Sequence, residues 1–265
     1  ESGHFYPPKT GHYYSRMTAE RQPRAARQPI EAARRVCLLP TCFARKYTLR
    51  VGQAHPEDSE SICRMPIVRN SVDVAAFNSA AVLPFELRWQ DFQMAMEDVY
   101  DFFWDVNTLL ARKGLQRLDD MLRPAIMSGM LSDMLTASLA KHSRVLTENH
   151  YFNGHPDLVV QGIYPRNSVK AGTEGVEVKT TRKAGGAVDT HGAREQWMCV
   201  FVYAVDNETE PAIDRSPMAF SEVYLGQVTP KDFRRNPRGE LGTRTATLDR
   251  NGLHRLRANW IYRLP

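Results

Sequence analysis

Between residues 85 and 110 the apolar positions fall into a helical stripe. Trp89, Phe92, Met96, Val99, Phe103, Val106 and Leu110 recur every three or four residues, and Gly114 follows where a helix stop belongs. A Met and aromatic stripe of this kind is ordinary core. A second helix is expected from Pro124 to about Lys141, with Pro in its first turn and Ile126, Met130, Leu131, Met134 and Leu135 on its apolar face. The period then shortens to two. Residues 145–151, 157–164 (DLVVQGIY) and 175–181 (GVEVKTT) read as strands. A Gly-rich loop over 183–192 leads to an expected short helix at 193–197, and strands follow at 199–205 and 220–228. From Pro124 the order is therefore α-β-β-β-α-β, then a further strand and a mixed tail in which 252–260 looks helical.

That order predicts an α/β fold, a mixed sheet flanked by helices. The first 84 residues have another texture, rich in Pro and Arg with little periodicity. They are expected to form a basic, irregular or partly helical extension, with residues 85–265 as the folded domain. A chain of 265 residues with 42% hydrophobic and 25% charged residues has the balance of a globular protein. No run reaches the roughly 18 apolar residues that span a bilayer, and no signal-peptide pattern opens the chain. The four cysteines form no CxxC pair, so reduced thiols are expected. Cys37, Cys42, Cys63 and His55 are suitable zinc ligands by type, but their spacing is irregular.

The net charge of +5 is mild, and its distribution is more informative. Between Arg16 and Arg50 nine Lys or Arg face only Glu20 and Glu31. Such a run is ordinarily a solvated surface. Against a polyanionic partner it becomes a phosphate-contacting arm, with Arg24, Arg27, Arg34 and Arg35 as its candidate residues.

Chemistry concentrates in two segments. Pro156-Asp157 opens one strand, and Glu177-Val178-Lys179 lies within the next. Residues i and i+2 of a strand share a face, so Glu177 and Lys179 project together while Val178 points to the core. A hairpin between the strands brings Asp157 beside Glu177. Two carboxylates and an ammonium suit metal-assisted phosphodiester hydrolysis, because Mg²⁺ favours hard oxygen ligands and a lysine can steady charge on the phosphate. The blander alternative is a set of charges paired across a half-buried strand.

The two segments resemble the signature of the PD-(D/E)XK nuclease superfamily, and the expected element order is similar to its restriction-endonuclease-like core. The resemblance covers about residues 124–228. It implies that Asp157, Glu177 and Lys179 are catalytic, with Asp157, Glu177 and the Val178 carbonyl as metal ligands. It further implies Mg²⁺, with Mn²⁺ able to substitute, and cleavage of double-stranded DNA as in restriction or defence endonucleases. A homodimer and a cytoplasmic, nucleoid-associated location follow as expectations. Gln196 resembles the helix glutamine of RecB-like exonucleases, although the usual short spacing to a tyrosine is not kept. Such an exonuclease, a DNA-repair nuclease and a non-catalytic DNA-binding module therefore stay open as alternatives.

Around this centre, Arg182, Lys183, Arg194 and Gln196 are candidates for DNA contact, together with the close-approach glycines Gly185 and Gly186. Glu148 and Asp133 could serve as outer metal ligands, and His155 and His191 could touch phosphate. Arginines of the tail, Arg255 and Arg257 among them, suit either a DNA groove or a solvated rim.

Overall fold

The helical stripe forms α1, Trp89–Arg112, in a computed structural model that describes residues 67–183, 188–190, 192–235 and 245–265. These residues all belong to the unit spanning 54–265. Phe92, Met96, Val99 and Phe103 are buried along α1, as their spacing requires. Asp91, three residues past the N-cap, accepts the Arg88 N–H at 2.8 Å and so satisfies a donor the helix leaves open. Gly114, at φ +65°, turns the chain away after the last turn.

A short α2, Leu118–Met121, leads into α3, Pro124–His142. Its buried row is Met127, Leu131, Leu135 and Leu139, while Ile126 is 47% exposed. The expected face is thus turned by one position. The cause is tertiary: α3 packs against α1 on one side and the sheet on the other, and the i, i+4 row beginning at Met127 fills that seam.

Six strands build the main sheet: β1 (Leu146–Glu148), β2 (Leu158–Val160), β3 (Gly175–Thr181), β5 (Gln196–Ala204), β6 (Ala219–Val228) and β9 (Trp260–Arg263), in that spatial order. β4 (Asp189–Thr190), β7 (Phe233–Arg235) and β8 (Ala246–Leu248) make a second sheet of order β4-β8-β7. β1, β2 and β3 are antiparallel neighbours, β3 and β5 run parallel, and β6 and β9 return antiparallel. The protein is therefore mixed α/β, a mixed sheet with helices against it.

One face of the main sheet meets α1 and α3 through Val176, Val178, Cys199, Phe201 and Tyr203. The other carries Met198, Val200 and Val202 against the second sheet and α4, Arg250–Ala258. β3 is buried on both faces, because a strand in the middle of a sheet covered on both sides has no solvent edge.

Two expectations fail in this region. The helix expected at 193–197 does not form. Gln196 and Trp197 instead extend β5, pairing with Val228 and Gln227 of β6, and nearby Asp189 and Thr190 pair with β8. Continuous ladder bonding satisfies more backbone groups than a single isolated helical turn can. The strand expected at 157–164 is three residues long, since the chain turns at Gly162, where φ is +81°.

Candidate metal centre

Asp157 immediately precedes β2, and Glu177 and Lys179 lie two apart in the middle of β3. The β2–β3 register, Leu158 opposite Val176, sets Asp157 beside Glu177 as the hairpin argument requires. Glu177 pairs with Met198 across the parallel ladder, so Glu177 and Lys179 occupy the sheet face opposite α1 and α3. Val178 points to the main core and is fully buried.

The three side chains meet. Lys179 Nζ lies 2.6 Å from Glu177 Oε1, 3.5 Å from Asp157 Oδ2 and 3.2 Å from the Val178 carbonyl oxygen. Those oxygens belong to the three residues expected to bind a metal, so the ammonium stands among the expected cation ligands. Asp157 Oδ2 also accepts the Val178 N–H at 2.8 Å. His155 joins from the preceding loop, its Nδ1 3.2 Å from Glu177 Oε2. Ligand atoms of His155, Asp157 and Glu177 all lie within 4.8 Å of one another, and these residues form the one such His/Cys/Asp/Glu group among the described residues. One imidazole, two carboxylates and a carbonyl are a donor set that fits a divalent cation.

The electrostatics are coupled. Burial pushes the Glu177 carboxyl up, but the hydrogen bond with His155 and the Lys179 charge outweigh it and hold the group at about 2. Burial, together with the Glu177 charge, raises Asp157 above the usual carboxylate range against the opposing pull of Lys179 and the Val178 N–H. Burial pulls the Lys179 ammonium down, yet Glu177 and Asp157 overcome it and raise its pKa. Lys179 is accordingly a fixed positive charge at neutral pH.

The loop that delivers His155 and Asp157 is held from several directions. Asn149 Nδ2 donates to the carbonyls of Pro156 at 2.9 Å and Val169 at 2.8 Å, and the Asn149 N–H donates to the Asp157 carbonyl at 2.8 Å. The His155 N–H reaches the Lys170 carbonyl, and the His155 carbonyl accepts from Gly172. Two glycines make room. A Cβ on Gly154 would lie 2.4 Å from the Val169 carbonyl oxygen, and one on Gly175 would lie 1.9 Å from that of Leu158.

The other candidates are scattered. Arg182 donates to the Val205 carbonyl and to Asn207 Oδ1, both at 2.8 Å, and so braces the chain beyond β5. Lys183 is exposed and Arg194 half-buried. Gln196 stands at the start of β5 rather than on a helix. It shares the face of Glu177, is buried, and its Nε2 has no hydrogen-bond partner among the described residues. Glu148 and Asp133 are exposed and outside the cluster. Arg255 and Arg257 make ion pairs with Asp232 and Glu222. Arg24, Arg27, Arg34, Arg35, the three cysteines with His55, Gly185, Gly186 and His191 lie outside the described residues.

The sequence pointed to His155 as a phosphate contact rather than a metal ligand, and to no role for Asn149. The signal for His155 was its place two residues before Asp157; nothing local marked Asn149. No family model matches this chain, and neither a curated protein nor a solved structure does.

Proposed function

We propose that this chain is a divalent-metal-dependent nuclease with a restriction-endonuclease-like core, hydrolysing phosphodiester bonds of double-stranded DNA. The observation that carries the reading is the convergence of Asp157, Glu177 and Lys179 on one face of a mixed sheet, with the Val178 carbonyl beside them. The antiparallel β1-β2-β3 followed by the parallel β5 agrees with it.

A bound dication, Mg²⁺ or Mn²⁺, supplies Lewis acidity toward the phosphoryl group and a more acidic water. Asp157, Glu177 and the Val178 carbonyl provide its oxygen ligands. Lys179, held protonated by its carboxylate neighbours, offers a charge to the scissile phosphate as negative charge builds there. The exposed Lys183 meets the DNA backbone, and the basic arm from Arg24 to Arg35 adds sequence-independent affinity. Cutting both strands calls for two centres, so the reading includes a homodimer. No described helix is long and apolar enough to cross a membrane.

The test is cleavage of closed circular and linear duplex DNA in Mg²⁺, Mn²⁺, Ca²⁺ or EDTA. Nicking or linearisation of circles in Mg²⁺ or Mn²⁺, with little turnover in Ca²⁺, supports an endonuclease. Degradation restricted to linear DNA selects the exonuclease alternative. Full activity in EDTA, or DNA binding with no cleavage in any metal, overturns the proposal.

A further inference from the structure

We propose that His155 is a third side-chain ligand of this centre, beside Asp157 and Glu177, and turns it toward first-row transition dications, Mn²⁺ or Co²⁺, over Mg²⁺. The inference rests on the metal-centre reading above and extends it to the identity of the ion.

Three observations carry it. The first is spacing. Adjacent ligands of an octahedral ion bound at about 2.1 Å lie about 3.0 Å apart, and His155 Nδ1 stands 3.2 Å from Glu177 Oε2. Closing that gap takes a small side-chain adjustment and no backbone movement. The second is the division of oxygens. Lys179 engages Glu177 Oε1 and His155 engages Oε2. Asp157 Oδ2 receives the Val178 N–H, which leaves Oδ1 for a cation. An ion seated on the His155 side is therefore compatible with the Lys179–Glu177 contact. The third is anchoring. Hydrogen bonds from the His155 N–H to Lys170 and from Gly172 to the His155 carbonyl fix the backbone, and the side chain is only 18% exposed. A ligand held this way loses little freedom when it binds.

The consequence is chemical. In the metal-free chain Nδ1–H donates to Glu177 Oε2; a bound dication takes the place of that proton, and the neutral imidazole, now carrying its proton on Nε2, presents the Nδ1 lone pair. Nitrogen donors of this kind suit first-row transition ions, whereas Mg²⁺ takes oxygen ligands and retains its waters. A carboxylate-only centre lacks that bias. If His155 merely oriented Glu177, its removal would weaken every dication alike.

Calorimetric titration of Mn²⁺, Co²⁺ and Mg²⁺ into the metal-free chain without DNA tests this in the wild type and in His155→Ala, His155→Asn and Asp157→Asn. Circular dichroism and Tm confirm that each variant is folded, and His155→Asn keeps a polar group of similar reach. The expected result is a loss of about tenfold or more for Mn²⁺ and Co²⁺ in both His155 variants, with Mg²⁺ changed by less than about threefold. Pulsed electron spin resonance of bound Mn²⁺ should show nitrogen coupling in the wild type and none in His155→Ala. Equal losses for all three ions, or coupling that persists in the variant, overturn the role of His155. Metal binding abolished by Asp157→Asn but untouched at His155 overturns it too, while leaving the centre standing. A wild type that takes up no dication sinks the metal-centre reading itself.

Discussion

The main-chain N–H of Val178 donates to the Asp157 carboxylate at 2.8 Å, so the strand that supplies Glu177 and Lys179 also orients the carboxylate facing them. Backbone hydrogen bonding and the putting together of the centre are the same event. Replacing Asp157 by Ala orphans a backbone donor at a cost of about 1–3 kcal/mol, besides removing a proposed metal ligand.

Isosteric changes separate these effects. Asp157→Asn and Glu177→Gln keep an oxygen at each position while removing the charge. Each should lower single-turnover cleavage of duplex DNA by at least about a thousandfold with Tm changed by a few degrees. Cleavage near the wild-type rate in either variant contradicts the site.

Lys179→Met should separate chemistry from stability as pH is varied. Because Glu177 is held at about 2 when folded, below its ordinary 4.5, its ionised form stabilises the protein above pH 4.5. That contribution fades as pH falls toward 2. Removing the Lys179 charge leaves a buried carboxylate with weaker compensation and costs about 3 kcal/mol near neutral pH. The deficit, read from urea unfolding, should shrink steadily below pH 4.5; a pH-independent deficit would mean that Lys179 contributes by packing alone. Cleavage should drop by orders of magnitude while DNA affinity stays within about tenfold.

Gly175→Ala places a Cβ against the Leu158 carbonyl oxygen and the Pro156 ring. The β2–β3 pair must part to admit it, which carries Asp157 away from Glu177. A loss of about 3 kcal/mol or more in unfolding free energy is expected, with loss of cleavage. Unaltered stability would show that the two strands leave room for a methyl group at this position.

Arg182 and Lys183 are adjacent in sequence and should behave differently. Arg182→Ala breaks the bonds to Val205 and Asn207 and should lower Tm, with DNA affinity within about twofold. Lys183→Ala should leave Tm unchanged and reduce the slope of log affinity against log salt by about 0.9. Neutralising Arg24, Arg27, Arg34 and Arg35 together should reduce that slope further, by about 0.9 for each phosphate no longer neutralised. An unchanged slope in every variant places the DNA on another surface.

Patterns of period 3.6 and 2 were enough to locate α1, β3, the buried stretch of β5 and the shared face of Glu177 and Lys179. These depend on side-chain direction within a single element, and that direction is a local property of the chain. Other features depend on partners distant in sequence. The buried face of α3 was chosen by α1 and the sheet acting together. Residues 193–197 became strand and approach to strand because β6 offers Gln196 and Trp197 a ladder thirty or more positions away, and Thr190 found Ala246. Arg182 is held by Val205 and Asn207, two partners that only the fold brings within reach. His155 joined the candidate metal centre, and Asn149 became its clamp, because loop hydrogen bonds to Val169, Lys170 and Gly172 fix where that segment lies. Residue types and short spacings determine which chemistry is available to this chain. Which groups share the site is decided by long-range backbone pairing, which leaves no periodic trace in the sequence.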